Sequence, residues 1–518
     1  MMDYVDPGTL KQWLHSDQEL AVLDVREHGQ YGESHLFLAT SLPYSRLEYE
    51  IARLVPRKSV KIVLYDADGK GVCLRAANAL ALLGYNNLFV LEGGTSAWTT
   101  AGYTLFAGVN LPSKTFGELI EHHFQTPRIT AQELMKKIQS AEDVVILDGR
   151  PQAEFKKMSI PGAQCCPNGE LSYRIQSHVN NPNTTIVINC AGRTRSIIGA
   201  QTLINLGIPN PVFALENGTQ GWYLQDFVLD HGKAHPYADP KVDDQLLSKV
   251  AQLAERFEVP FISDAQFNNW AKETDRSLYL CDVRTAEEFH ANGLPGAQNT
   301  PGGQFIQATD QFIGVRNARM VVYDSDGTRA IIVASWLKQM GHDVAVLQEG
   351  IQSKVSLPAI ATANIAGAHL LSDSELIAAN TQGEALLLDL RSSMQYRKGH
   401  IASAIWTIRP HLLEIIIDHQ NAIICIVDDL AIAQGAIAEL ASLGRSTAIY
   451  LAKGNIFPAG LEIIPTPALP ADSDCIDYLF FVHDRHDGNK EAARRYLEWE
   501  TGLVAQLDEQ ERNLFAIH

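Results

Sequence analysis

Four short runs of apolar residues along the chain each end in an aspartate that is followed, two residues later, by an arginine. Continuous apolar runs without polar alternation are typical of parallel strands that are covered on both faces. The aspartates are Asp24, Asp148, Asp282 and Asp389, and their spacing is close to the length of one α/β domain. The pattern therefore predicts four copies of one structural unit.

Each copy continues with the same series of elements. A second apolar strand (KIVLY, TIVIN, RMVVY, AIICIV) precedes a helix of small residues, and a third strand then leads into a glycine turn. The small-residue helices end at Gly84, Gly207, Gly341 and Gly444. Strands that alternate with helices favour a parallel sheet with helices on both faces. The predicted fold class is α/β, with four tandem domains and a helical C-terminal extension.

The recurring marks also set the domain boundaries. We expect domains at 1–108, 127–232, 260–358 and 370–465, and an extension at 475–518. The first two linkers contain helical patterns of their own, so we expect them to pack against the domains. In the extension, residues at spacings of three and four predict an amphipathic helix: Tyr496, Trp499, Leu503 and Leu507. This helix either clamps domains together, which we favour, or binds a partner.

The second copy alone places a cysteine between its second strand and the following helix. The loop runs through Cys190, Ala191, Gly192, Arg193, Thr194, Arg195 and Ser196. Open α/β sheets bind ligands at this position, and the free amides and dipole of a helix N-terminus stabilise an anion there. Two arginines add positive charge. These features predict an anion site and a lowered pKa for the Cys190 thiol.

This loop resembles the active-site loop of the rhodanese sulfurtransferases. The similarity extends, in family order, to Asp148-Gly149-Arg150, Glu154-Phe155, Ile160-Pro161-Gly162-Ala163, and Leu215-Glu216-Asn217-Gly218 with Trp222. The resemblance implies four rhodanese-like domains, one of them with an active-type loop. It also implies that Cys190 is catalytic and that Ala191 to Ser196 bind the substrate.

The chemistry implied by the resemblance is sulfur transfer. The Cys190 thiolate would take the sulfane sulfur of thiosulfate or a related anionic donor and form a persulfide, which cyanide, glutathione or a protein thiol would then discharge. This ping-pong scheme needs no metal or organic cofactor. We expect Arg195 to line the pocket and Arg193 to point outward into solvent.

The corresponding loops of the other copies lack a thiol in this place. Asp324 stands at the position of Cys190 in the third copy, and Asp66 begins a loop that is one residue longer in the first. Cys73 therefore falls at the helix start, and the fourth copy has Val427 followed by two aspartates. We expect three inactive domains, with an aspartate held in a cradle of amides as an internal anion. We also expect each Asp-x-Arg to form a structural pair.

Two other classes of protein remain open. One is a persulfide carrier or scaffold that relays sulfur to a protein partner. The other is a cysteine phosphatase, which is disfavoured because those loops carry C-x-x-x-x-x-R, whereas Arg195 comes one residue earlier. A resolving role for Cys165 or Cys166 also stays open, although adjacent loop cysteines are more often incidental.

The amino-acid composition limits the classes of binding partner and the cellular location that we expect. The 518 residues carry a formal net charge of -18, which argues against nucleic acid or an anionic membrane as a partner. The seven cysteines are scattered and odd in number, as in a reducing compartment. Apolar runs stay well below the roughly 20 residues of a membrane span, so we expect a cytoplasmic protein.

Overall fold

A computed structural model describes residues 2–359, 365, 368–417, 419–480 and 488–518. Domain 1 is a parallel sheet in the order β1-β5-β4-β2-β3. Its strands are β1 Asp3–Val5, β2 Leu20–Asp24, β3 Thr40–Ser41, β4 Lys61–Tyr65 and β5 Leu88–Leu91. Its helices are α1 Pro7–Leu14, α2 His28–Glu33, α3 Leu47–Leu54, α4 Val72–Leu82 and α5 Gly94–Thr100. Every residue of the central strand β2 is buried, as expected for a strand covered on both faces.

Domain 2 repeats this topology after the linker helix α6 Leu111–Phe124. Its parallel sheet has the order β6-β10-β9-β7-β8. The strands are β6 Arg128–Ile129, β7 Val144–Asp148, β8 Gln164–Cys165, β9 Thr185–Asn189 and β10 Val212–Leu215. The helices are α7 Ala131–Gln139, α8 Gln152–Lys157, α9 Leu171–His178, α10 Thr194–Asn205 and α11 Gly218–Leu224.

Domain 3 follows the second linker helix, α12 Asp244–Arg256. Its parallel sheet has the order β11-β15-β14-β12-β13. The strands are β11 Phe261–Ile262, β12 Leu278–Asp282, β13 Gln298–Asn299, β14 Arg319–Tyr323 and β15 Asp343–Leu347. The helices are α13 Asp264–Trp270, α14 Ala286–Asn292, α15 Gly302–Gln307 and α16 Arg329–Gln339.

Domain 4 has the fourth such sheet, in the order β16-β21-β20-β17-β19, and a separate antiparallel pair of β18 with β22. The strands are β16 His369–Leu370, β17 Ala385–Asp389, β18 His400–Ile401, β19 Ile405–Trp406, β20 Ala422–Val427, β21 Thr447–Leu451 and β22 Ile463–Ile464. The helices are α17 Asp373–Gln382, α18 Ser393–Lys398, α19 Leu412–Ile416 and α20 Leu430–Ser442.

The C-terminal extension contains α21 Lys490–Thr501, α22 Leu503–Gln506 and α23 Glu509–Arg512. Single turns of 3-10 helix occur at Tyr44–Arg46, Asn168–Glu170, Thr309–Gln311, Gly350–Gln352, Arg409–His411 and Asp472–Asp474. The four sheets confirm the predicted α/β fold class, and both linker helices form as expected. Among the described residues, no helix has the length and apolar character needed to cross a membrane.

The domains group in pairs that do not follow the chain order. One compact unit, called unit 1, contains Met1–Ser16, Leu20–Val109 and Ile360–Phe481, which hold domains 1 and 4. The other, called unit 2, contains Asp17–Glu19, Asn110–Ala359 and Val482–His518, which hold domains 2 and 3, both linker helices and the C-terminal helices. The residue boundaries predicted for the single domains stay a proposal.

In unit 1 the two domains meet around a buried arginine of domain 4. Arg409 Nη1 and Nη2 donate to the two carboxylate oxygens of Glu48 at 2.6 and 2.7 Å, and Nε donates to Glu439 at 3.1 Å. Its guanidinium also lies 3.9 Å from the ring centre of Tyr44. A bidentate, desolvated pair of this kind fixes the orientation of the two domains in unit 1.

In unit 2 the two domains meet backbone to backbone. A Cβ atom on Gly169 would lie 2.5 Å from the amide nitrogen of Gly303, and one on Gly303 would lie 2.9 Å from that of Gly169. Any larger residue at either position would force the domains apart. The contact is reciprocal because Gly169 and Gly303 occupy the same place in PNGE and PGGQ, the equivalent segments of domains 2 and 3.

Candidate active site

Cys190 lies directly after β9 and four residues before α10 begins, so the thiol sits at the carboxyl end of a central strand. The loop is anchored through its carbonyl groups. Cys190 O accepts from the Thr219 amide at 2.8 Å, and Ala191 O accepts from the Gln220 amide at 3.1 Å, both at the start of α11. Because carbonyl and N–H groups of a trans peptide point in opposite directions, this anchoring turns loop amides away from α11.

The thiol itself is contacted by the first turn of α10. Ser196 Oγ donates to Cys190 Sγ at 3.1 Å, and the Ser196 amide also hydrogen-bonds the sulfur. Cys190 is 2% exposed. The sequence prediction that the thiol stands ahead of a helix N-terminus is met by this geometry.

The expected lowering of the Cys190 pKa is wrong in direction. Burial raises the pKa of the Cys190 thiol above its usual range, and the Glu500 carboxylate raises it further. Arg195 and the two groups of Ser196 lower it, but by less than burial raises it. The sequence indicated the cations and the helix terminus, but it did not indicate how completely the loop would be covered.

Arg193 does not point outward as predicted. Its side chain is 7% exposed and forms ion pairs with Glu118 at 2.7 Å and with Glu121, both on α6. Arg193 Nη1 also donates to Asn217 Oδ1 at 3.4 Å. Burial raises the pKa of Glu118 to about 7, against the pull of Arg193. The charge of Arg193 is therefore directed at the linker helix and is not free to face the thiol.

Arg195 lies on the opposite side of the loop and is also paired. Its guanidinium forms a bidentate pair with Glu154 at 2.7 and 2.8 Å, and Nη1 donates to Gln304 of domain 3 at 3.2 Å. It still lowers the pKa of Cys190. This is the residue that the sequence analysis placed at the pocket.

Comparison of the repeats shows that this arginine–glutamate pair belongs to the scaffold. Arg329 takes the place of Arg195 in domain 3 and pairs with Glu288, the equivalent of Glu154, at 2.7 Å. The equivalent positions in domains 1 and 4 are Gln30 and Gln395, and their loops have no arginine. The glutamate and the arginine are therefore both present in domains 2 and 3 and both absent in domains 1 and 4. Their presence does not depend on a thiol in the loop.

The aspartates at the ends of the equivalent strands are held by loop amides, as predicted, and burial raises the pKa of Asp324 to about 6. Asp324 accepts from the amides of Asp326, Gly327 and Ala330 at 3.2, 2.9 and 2.8 Å. Asp66 accepts from the amides of Asp68, Gly69 and Cys73 at 3.2, 2.7 and 3.0 Å. The loops of domains 1 and 3 thus each present three N–H groups to one aspartate carboxylate.

Two helices outside domain 2 cover the loop within unit 2. A Cβ on Gly117 of α6 would lie 2.8 Å from Thr194 Cγ2, so α6 can cross the loop only with glycine here. From α21, Glu500 Oε1 accepts from Thr194 Oγ1 at 3.1 Å. A Cβ on Gly192 would lie 2.7 Å from Glu500 Oε2 and 3.3 Å from the ring of Tyr496.

Sequence reasoning missed Glu500. It predicted one amphipathic helix through Leu507, whereas the structure ends α21 at Thr501 and begins α22 at Leu503, with Leu507 just beyond it. Tyr496, Leu503 and Leu507 of the predicted face are buried, and Trp499 is partly buried. Glu500 is four residues after Tyr496, so it lies on that same face, and a carboxylate on a buried face is the signal that could have drawn attention to it.

The remaining cysteines are core residues. Cys165 Sγ donates to Arg150 O at 3.5 Å, and Cys166 lies in the apolar cluster on the other side of the sheet. Burial raises the pKa of Cys165 to about 12 and that of Cys166 well above its ordinary value. Each Asp-x-Arg forms the expected structural pair, at 2.6 to 2.7 Å in all four domains.

The rhodanese-like domain family matches residues 6–101, 130–225 and 264–355, together more than half of the chain. The chain therefore belongs to the rhodanese family. Domain 4 has the same strand order as the three matched domains, although the family match does not include it.

Known proteins similar to this chain include a sulfurtransferase and a putative sulfur carrier protein. The crystal structure of a thiosulfate sulfurtransferase from Pseudomonas aeruginosa is 37% identical, with a TM-score of 0.89, over 100% of this chain and 99% of that one. A putative sulfur carrier protein, YrkF of Bacillus subtilis, is 31% identical over 102 residues, which are 20% of this chain and 54% of that protein.

Proposed function

We propose that this protein is a sulfurtransferase that moves sulfane sulfur from thiosulfate or a related donor to a thiophilic acceptor through a persulfide on Cys190. The observation that supports this most directly is the set of groups around the Cys190 sulfur. The Ser196 hydroxyl and amide hydrogen-bond the sulfur at the first turn of α10, and Arg195 favours its charged form. These groups suit a thiolate or the terminal sulfur of a persulfide.

The proposed reaction has two displacement steps. The Cys190 thiolate attacks the outer sulfur of thiosulfate, the sulfur–sulfur bond of the donor breaks with its electron pair, and sulfite leaves as a dianion. The enzyme then carries a Cys190 persulfide anion. Cyanide or a thiolate attacks its outer sulfur, takes that atom, and restores the Cys190 thiolate. Nothing is oxidised or reduced beyond this exchange of sulfur.

The similarity to a thiosulfate sulfurtransferase along the full chain supports transfer from a small donor. The similarity of one segment to a putative sulfur carrier keeps a relay to a protein thiol as the second candidate. Turnover distinguishes the two: an enzyme that uses small molecules forms thiocyanate from thiosulfate and cyanide repeatedly, whereas a carrier acquires one sulfur and retains it.

The test is the intact mass of the full-length protein after incubation with thiosulfate. We expect one added sulfur atom on the peptide that contains Cys190, and its removal by a reducing thiol or cyanide. Cys190→Ser should lose sulfur transfer by about 1,000-fold or more, because a hydroxyl has no thiolate character at neutral pH. Cys73→Ala is the matched control and should retain activity. Transfer that persists in Cys190→Ser, or sulfur found on another cysteine, would contradict the proposal.

A further inference from the structure

Glu500 is a buried carboxylate at the candidate site whose second oxygen has no hydrogen-bond partner among the described residues. The residue is 2% exposed, and Oε2 faces the loop at Gly192. A buried carboxylate oxygen that accepts no hydrogen bond lowers the stability of the folded protein. Its presence directly over the Cys190 loop therefore calls for a functional explanation.

Both loop arginines form their ion pairs with other carboxylates, although the Glu500 carboxylate also favours the charged form of Arg193. Arg193 is paired with Glu118 and Glu121, and Arg195 with Glu154. Lys114 of α6, a further cation that contacts α21, donates to the hydroxyl of Tyr496 at 2.9 Å. The described part of the chain contains no ion pair of Glu500. Burial raises the pKa of Glu118, and the nearby carboxylates of Glu500 and Glu121 raise it further.

Resting on the proposed sulfurtransferase function, we propose that Glu500 is a specificity-determining residue that selects a sulfur donor of low charge. The donor class that fits is the persulfide of a small thiol, which carries at most one negative charge on its two sulfurs. Thiosulfate, a compact dianion, is the disfavoured donor because it must approach the loop beside the Glu500 carboxylate, which forms no ion pair among the described residues.

The charges on the reacting atoms differ between the two donors. With thiosulfate, the thiolate and the dianion bring three negative charges together. The Cys190 persulfide anion then stays on the enzyme and the sulfite dianion leaves. With a hydropersulfide, R–S–SH, the Cys190 thiolate attacks the outer sulfur, the donor's sulfur–sulfur bond breaks with its electron pair, and a Cys190 hydropersulfide and a thiolate R–S⁻ form. Only one negative charge is present throughout that second exchange, so the Glu500 carboxylate opposes it far less.

The experiment measures kcat/KM of the full-length protein with thiosulfate and with cysteine persulfide, a zwitterion, at a fixed cyanide concentration. In Glu500→Gln we expect the ratio of thiosulfate to persulfide kcat/KM to rise by roughly tenfold or more. The matched control is Glu498→Gln, which removes the same charge from the exposed side of α21 and should leave the ratio unchanged. An equal ratio in both variants would overturn the proposal.

A second measurement does not depend on turnover or on how well the variant folds. Iodoacetate and iodoacetamide both need the Cys190 thiolate, so the ratio of their alkylation rates cancels the thiolate fraction and reports local charge alone. In the native wild-type protein, the rate with the anionic iodoacetate divided by the rate with the neutral iodoacetamide should be roughly tenfold lower than for the same cysteine in urea. A ratio equal in both states would also overturn the proposal. The proposed function fails by a different result, namely that neither donor places sulfur on Cys190.

Discussion

At the scale of single residues, the Cys190 thiol is under opposing influences. The Ser196 hydroxyl and amide and the Arg195 guanidinium favour the thiolate, whereas burial and Glu500 favour the neutral thiol, which prevails. A thiol of this kind is kept mainly protonated at neutral pH, because desolvation penalises the charged form. Its reactivity therefore increases steeply with pH.

The first consequence is a pH profile. The rate of Cys190 alkylation by iodoacetamide should rise about tenfold per pH unit and reach half of its maximum above the midpoint of a free cysteine, about 8.5. Ser196→Ala removes a hydroxyl donor to the sulfur, so we expect a further shift to higher pH and a loss of roughly tenfold in rate near neutrality.

Peptide mapping of the alkylated protein gives these rates separately for each cysteine. Thr202→Ala, a hydroxyl deletion two turns further along α10, is the control and should leave the profile in place. A midpoint below that of free cysteine would show that the loop amides and the helix terminus outweigh burial.

The arginines show where residue-level prediction stops. Cys190 and its place before a helix could be predicted, because strand, loop and helix are adjacent in sequence. The partners of Arg193 are 72 and 75 residues away on α6, and the chain between them has no local pattern that announces the pairing. Arg193 was therefore assigned to solvent when it is buried.

At the scale of elements, domains 2 and 3 make two equivalent hydrogen bonds across their contact, one in each direction. Glu170 of domain 2 accepts from Arg329 at 2.8 Å, and Gln304, its equivalent in domain 3, accepts from Arg195 at 3.2 Å. Arg329 also pairs with Asp326, so the degenerate loop has two more carboxylates on its arginine than the loop with the thiol. The neutral amide at Gln304 leaves more of the Arg195 charge available to Cys190.

The second prediction concerns these two reciprocal contacts. Gln304→Glu gives Arg195 the equivalent of Glu170, one of the two extra carboxylates of Arg329, so the pKa of Cys190 should rise and its alkylation at neutral pH should slow by roughly five- to tenfold. Glu170→Gln, the reciprocal change, alters the surroundings of Arg329 and should leave Cys190 alkylation unaffected. Unchanged rates in Gln304→Glu would show that Arg195 acts on Glu154 alone.

The elements themselves were largely predictable. Apolar runs such as that of β9 and the helical spacing in α6 and α12 are local signals, and the four sheets follow from them. The position of α21 was not predictable in the same way, because its contact with Thr194 joins residues 306 apart in the sequence. Periodicity identified the buried face of that helix and not what the face would cover.

At the scale of the whole molecule, unit 1 depends on Arg409. Arg409 is 4% exposed, and its partners Glu48 and Glu439 are nearly as buried. Removing one member of a buried pair leaves charges without compensation, which is strongly destabilising. The exposed pair of Arg46 with Asp429 in the same unit should matter much less.

The third prediction compares these two pairs. Arg409→Ala should destabilise unit 1 by about 3–5 kcal/mol, whereas Arg46→Ala should cost less than about 1 kcal/mol. Hydrogen exchange of peptides from α3 and α20 measures both losses locally. Cys190 belongs to unit 2, so its alkylation should be the same in both variants, and a similar loss for both would contradict the importance given to burial.

Because unit 2 is discontinuous in sequence, the ribosome makes the Cys190 loop well before it makes α21, the helix that covers the loop. Synthesis at roughly 5–20 residues per second separates the Cys190 loop from α21 by on the order of 15–60 s. During that interval the loop exists without the helix that later covers Gly192 and Thr194. The thiol is then most open to oxidants and electrophiles in the nascent chain, so damage at Cys190 should record conditions during translation more than those the finished protein encounters.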